Sequence, residues 1–374
     1  MIALCPSRIL TPVGFETERC LLIEDGRIVD VVPECPPNVS RENLEGELVP
    51  GFIDLQVNGG GGVLFNDQPT IEGIEAIGRS HRAFGTTGFL PTLITTDLEV
   101  LDRAMRAVEG AIARGVPGVL GIHIEGPFIN SEKRGIHDST KIRQIDDTAV
   151  ELLASLSNGV TLVTLAPELA PAGVIAALAA RGVVVAAGHT AASYEQTRQA
   201  LDDGVTGFTH LFNAMSQLIA RAPGAVGAAL DSDAWCSLII DGFHVHPASL
   251  RIALAAKGSD QLVLVTDAMA TVGSAETTFM LGDRPIHVDD GRLAADDGTL
   301  AGSNLDMATA VVNAAEALQV DLATAIRMAS LNPARAVGLE QTTGAISPGL
   351  RADLALLNPD GRVARTWISG IASD

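Results

Sequence analysis

Two hydrophobic patterns alternate along the middle of the chain. Short, nearly continuous apolar runs occur at 52–57, 87–93, 119–125, 160–165, 183–187, 207–210, 235–240 and 261–265. Between most of them lie Ala-rich stretches with helical periodicity, at 70–84, 98–114, 148–156, 172–181, 193–201 and 247–257. Eight β-then-α units predict a parallel sheet, and the number eight favours closure into a TIM-like (β/α)8 barrel. An open doubly wound sheet is the alternative. Its usual Gly-x-Gly-x-x-Gly after the first strand is absent, and Gly59-Gly60-Gly61-Gly62 has the wrong spacing, so it reads as a loop.

The two ends of the chain read differently. Cys20–Ile23 and Arg27–Val32 flank Asp25-Gly26, a hairpin turn, and residues 352–357 and 363–368 flank Asp360-Gly361 in the same way. Two β-rich ends around a different middle predict one small sheet domain, residues 1–50 plus 340–374, with the barrel over 51–339. Residues 276–300 carry Asp289-Asp290-Gly291 and Asp296-Asp297-Gly298 and predict a hairpin insertion after the eighth strand. Helices are expected beyond it, at 305–318 and 322–329.

Composition narrows the function classes. Of 374 residues 47% are apolar and 19% charged, which suits a globular protein with a sizeable core, packed by aliphatic side chains because aromatics are only 3%. A formal charge of −20 argues against nucleic-acid binding, whose affinity comes from cations neutralising phosphates. No run approaches the roughly 20 apolar residues that span a bilayer. Met1-Ile2-Ala3-Leu4-Cys5-Pro6 lacks the basic and apolar regions of a secretory signal, so a cytoplasmic location is expected. Cys5, Cys20, Cys35 and Cys236 form no Cys-x-x-Cys pair and are expected as reduced thiols.

The chemistry gathers at the strand ends. In a β/α barrel the C-terminal ends converge on one face, where catalytic groups sit. The polar residues there are Gln56 and Asn58 (strand 1), Glu125 (3), His189 (5), His210 (6), His244 just beyond strand 7, and Asp267 (8). Glu125 alone, at the end of an apolar strand cut off by Gly126-Pro127, reads equally well as a residue paired with an Arg. With His189 and His210 it supplies one oxygen and two nitrogen donors, a set that leaves a divalent ion one open position. His123, two residues before Glu125, points the same way and is read as a packing or supporting residue.

Several motifs in order add a resemblance. His123-Ile124-Glu125-Gly126-Pro127-Phe128, Gly188-His189-Thr190, Thr209 to Met215, Asp241 to Val245, Val265 to Ala268, Gly298 to Ser303 and Asn332-Pro333-Ala334 are similar to those of the N-acetylglucosamine-6-phosphate deacetylase family of the amidohydrolase superfamily. The resemblance runs nearly end to end. It implies a TIM-like barrel with a small β-sandwich built from both termini. It also implies hydrolysis of N-acetylglucosamine 6-phosphate to glucosamine 6-phosphate and acetate, in amino-sugar catabolism.

For individual residues the resemblance implies Glu125, His189 and His210 as ligands of the metal, Asp267 as the proton carrier and His137 as the group that meets the acetyl carbonyl. It assigns the sugar and phosphate to Ile136, Asn213, Ala214, Arg221, Asp241, Gly242, Phe243, His244, Leu300, Ala301 and Gly302. Arg221 would reach the neighbouring site of a homodimer. One departure bears on the metal count. Many amidohydrolases carry His-x-His at the end of strand 1, where this chain has Gln56-Val57-Asn58. One divalent ion per chain is therefore expected, zinc first, with iron, cobalt or manganese sharing these ligands; Gln56 would adjoin its water. The rivals are the sister activity on N-acetylgalactosamine 6-phosphate, a dihydroorotase-like or D-aminoacylase-like enzyme, and a catalytically inert barrel.

Overall fold

The computed structural model describes residues 1–373. Eight parallel strands form one sheet in chain order: β1 (Phe52–Val57), β2 (Thr86–Ile94), β3 (Gly121–Glu125), β4 (Val160–Leu165), β5 (Val184–Ala187), β6 (Val205–Phe208), β7 (Trp235–Leu238) and β8 (Leu262–Leu264). The regular ladder joins neighbours from β1 to β8. The ring is completed just past the strand ends, where Val57 lies opposite Ala268 and the Asp267 N–H donates to the Gln56 carbonyl at 3.0 Å. Closure thus happens at candidate site residues.

The longer helices cover the strands with an apolar stripe. In Ile71–Arg82 it is Ile74 and Ile77, with Thr70 capping the first turn by accepting from Gly73 N; in Leu98–Ala113 it is Leu101, Met105 and Val108. These side chains join the buried faces of β1 to β8 in one core.

Both termini build the second layer. Arg27–Val32, Cys20–Glu24, Ile2–Cys5 and Ser40–Asn43 form one sheet. A second sheet runs Ile371–Ala372, Val363–Ile368, Leu354–Leu357, Glu47–Pro50, Arg8–Thr11, Gly14–Thr17. The chain ends meet where Leu354–Leu357 pairs antiparallel with Glu47–Pro50. Between the sheets Leu4, Leu21 and Ile28 pack on Ile9, Leu48, Leu354 and Trp367, making the expected small sandwich.

Two expectations are corrected, the reduced thiols and the plain glycine loop. Cys5 and Cys20 are not reduced thiols; they form a disulfide. Their strands are antiparallel neighbours with Leu4 opposite Leu21, which sets the two cysteines face to face with Cα atoms 4.3 Å apart. Cys35 and Cys236 are free. The glycine run is not a plain loop, since Gly59–Gly60 pairs with Val63–Leu64 and Gly61 and Gly62 turn at φ +62° and +85°. Two helices escaped the periodicity. Gly224–Leu230 is buried almost all round and so has no stripe, and Leu331–Ala336 hides behind Asn332-Pro333. The insertion after β8 is three antiparallel strands, Thr278–Leu281, Arg284–Asp289 and Arg292–Ala295. Among the described residues no helix is long and apolar enough to cross a membrane.

Candidate active site

At the C-terminal mouth of the barrel lies a cavity of about 360 Å³. Glu125, the last residue of β3, meets the two histidines just beyond β5 and β6. His189 Nε2 lies 3.1 Å and His210 Nε2 2.9 Å from Glu125 Oε1, and the two nitrogens are 3.1 Å apart. All three residues are buried. The remaining nitrogen of His189, Nδ1, donates to the Lys133 carbonyl at 2.7 Å, so Nε2 is the nitrogen turned toward Glu125 and available to a cation.

Among the described residues this is the one cluster of three such groups whose ligand atoms converge, all within 4.8 Å of one another. One carboxylate and two imidazole lone pairs aimed at a common point fit a divalent cation. Burial by itself would raise the Glu125 carboxyl; hydrogen bonds and charge from His189 and His210 outweigh it and hold the group well below its ordinary value.

Asp267 lines the same cavity, and its Oδ1 accepts from Gln56 Nε2 at 3.1 Å and from Asn58 Nδ2 at 2.6 Å. The two strand-1 carboxamides are therefore turned toward this carboxylate. Burial, with the Glu125 charge adding, pushes the Asp267 carboxyl up to about 7. His137 anchors Nδ1 on Thr95 Oγ1 at 2.7 Å, and burial first, then the His189 charge, lowers it to about 3, so its ring is neutral. His189, His210 and Asp267 all adopt left-handed φ, at +48°, +37° and +53°. For residues with a β-carbon that conformation is uncommon and persists where the surroundings impose it, often at functional sites.

Of the residues expected at the site, Asn58, Ile136, Asn213, Ala214, His244, Leu300 and Gly302 line the same cavity. Asp241 contributes through His244, whose Nδ1 lies 2.7 Å from Asp241 Oδ2. Gln56 sits behind Asp267, Ala301 is fully buried, and Phe243 beside Gly242 is exposed. Arg221 lies on an exposed turn with Ile219 opposite Ala222 and does not line the cavity of its own chain. His123 is a supporting residue inside the barrel, with Nε2 2.7 Å from Thr164 Oγ1. Glu132, Lys133 and Met269 line the cavity without having been marked by any pattern, because they sit on a short turn and a connecting loop.

A profile of the amidohydrolase family matches residues 48–372. The chain belongs to that family. Among curated amidohydrolase relatives, it is 45% identical to the N-acetylgalactosamine-6-phosphate deacetylase of Shewanella sp. (strain ANA-3) over 371 residues, 97% of this chain and 94% of that one. It is 36% identical to the N-acetylglucosamine-6-phosphate deacetylase of Haemophilus influenzae over 356 residues, 93% of each. The crystal structure of N-acetylglucosamine-6-phosphate deacetylase from Pasteurella multocida superposes with a TM-score of 0.96 at 33% identity, covering 100% of this chain and 99% of that one.

Proposed function

We propose that this amidohydrolase hydrolyses the acetamide of an N-acetylhexosamine 6-phosphate, releasing the amino sugar phosphate and acetate. The observation that carries the reading is the meeting, in one cavity, of a Glu-His-His donor set and a separate carboxylate, Asp267, with a carboxyl near neutrality. The relatives named above supply the substrate class.

Glu125, His189 and His210 would hold one divalent ion, zinc first, which would polarise the acetyl carbonyl and acidify water. Asp267 takes the proton from the attacking water and delivers it to the nitrogen, since an amide nitrogen leaves poorly unless protonated. Gln56 and Asn58 keep Asp267 Oδ1 occupied, so Oδ2 does the transfer. With Thr95 Oγ1–H donating to Nδ1, His137 presents Nε2–H to the carbonyl oxygen and stabilises the charge that develops there. Asn213, Ala214 and His244, which line the same cavity, meet the sugar phosphate. Arg221, turned out of its own cavity, serves the phosphate of the neighbouring subunit in a homodimer.

The gluco epimer is the first reading, supported by the likeness to N-acetylglucosamine-6-phosphate deacetylases. The 45% identity to the Shewanella enzyme favours the galacto epimer as a second reading. Acetate release measured with both 6-phosphates decides between them, and no release from either overturns the deacetylase reading. The donor set also predicts one tight ion per chain, because the strand-1 positions hold carboxamides turned toward Asp267. Two tight ions by elemental analysis would contradict that count.

A further inference from the structure

Seven of the eight barrel strands place a residue at or just past their ends in the cavity, and β4 is the exception among the described residues. The chain leaves β4 through the short turn Pro167–Leu169, with Glu168 at its centre. We propose that Glu168 is a positioning residue for metal binding: its carboxylate clamps the loop after β3 to the loop after β5 and thereby fixes His189. This rests on the reading of Glu125, His189 and His210 as a metal site.

Both oxygens of Glu168 are engaged, and by both loops. Oε1 accepts from Asn130 Nδ2 at 2.9 Å and from the Ala191 N–H at 2.7 Å, while Oε2 accepts from Thr190 Oγ1 at 2.5 Å. Thr190 and Ala191 come directly after His189. Asn130 belongs to the loop beyond Glu125, and its own N–H donates to the His189 carbonyl at 2.9 Å. Asn130 Oδ1 also accepts from Glu132 N at 2.9 Å, capping the turn Ser131–Lys133. That turn delivers the Lys133 carbonyl to His189 Nδ1.

His189 is therefore gripped at its carbonyl, at the two residues after it and at its ring. Each grip except the ring's runs directly to Glu168 or to Asn130, which Glu168 holds. The grip matters because His189 sits at φ +48°, a conformation that relaxes toward ordinary backbone if its surroundings loosen. Glu168 does not line the cavity, so it acts through His189 rather than on substrate. Groups that orient a metal-binding histidine in this way typically carry a share of affinity of roughly 10- to 100-fold.

The test uses full-length protein, stripped of metal and titrated with Zn²⁺ against a competing chromophoric chelator, with the apo-protein Tm recorded beside it. Glu168→Ala is expected to weaken Zn²⁺ binding by at least about 10-fold. Glu168→Gln, which keeps one acceptor oxygen and can donate to Thr190 Oγ1, should recover most of that loss. A folded Glu168→Ala protein with wild-type Zn²⁺ affinity overturns the proposal, even if its Tm falls. Equal losses in the Ala and Gln variants also overturn it, by assigning the effect to charge. If Glu168→Ala does not fold, Thr190→Val and Asn130→Ala carry the test, and unchanged affinity in both overturns it. Failure of the wild type to bind Zn²⁺ tightly would sink the metal reading itself, a different outcome.

Discussion

A carboxylate accepting hydrogen bonds from two carboxamides is ordinary chemistry until it lines a cavity shared with a metal-type donor set. Asp267 is in that position. If it moves the proton, Asp267→Asn should bind Zn²⁺ as wild type while losing roughly 10²- to 10⁴-fold in turnover. Near-normal turnover in the folded, zinc-loaded variant would reassign the residue to structure. The pH dependence has a definite sign. Only ionised Asp267 can accept the proton, so activity falls as pH drops through its pKa. Burial and the Glu125 charge raise that carboxyl to about 7, and a cation held by Glu125, His189 and His210 opposes the rise. The acid limb of kcat against pH is thus expected at or below neutrality, and a profile flat down to about pH 4, the ordinary aspartate range, would contradict the assignment. Residue identity and strand-end position made Asp267 legible in the sequence. Lys133, whose carbonyl orients His189, was not legible, because a backbone acceptor leaves no residue-type signal.

At the scale of elements, the barrel strands arise from continuous apolar runs and the N-terminal hairpin from Asp25-Gly26, both of which take left-handed φ in the turn. The cysteines show the opposite case. Nothing in their spacing distinguishes Cys5 and Cys20 from Cys35; only the register of Ile2–Cys5 on Cys20–Glu24 does. Denatured, unreduced protein is therefore expected to yield two titratable thiols, from Cys35 and Cys236, and four would refute the bond. Packing between elements also explains Gly207 in β6, where an added β-carbon would lie 2.0 Å from the Trp235 ring on β7. Gly207→Ala should cost about 1–3 kcal/mol, as overpacking does, and lower Tm accordingly. An unchanged Tm would show that Trp235 can turn aside.

For the whole molecule the governing quantity is the −20 formal charge, which repels a dianionic substrate unless local cations face it. Charge-assisted bonds to phosphate contribute about 1.5–3 kcal/mol each. Unphosphorylated N-acetylhexosamine should accordingly be turned over at least about 100-fold less efficiently than its 6-phosphate. Arg221→Ala should erase much of the difference by slowing only the phosphorylated sugar. Equal kcat/KM for both sugars in the wild type would instead favour a broader amidohydrolase. The sequence by itself determined the alternation of strand and helix, the pairing of the β-rich ends and which polar residues end the strands, because each is a local pattern of side-chain types. Only the tertiary structure decided that the barrel closes through Asp267 and Gln56, that Cys5 meets Cys20, that Arg221 leaves its own cavity and that Glu168 joins two loops. Those contacts depend on register and loop path, which are set by packing between distant segments rather than by neighbouring residues.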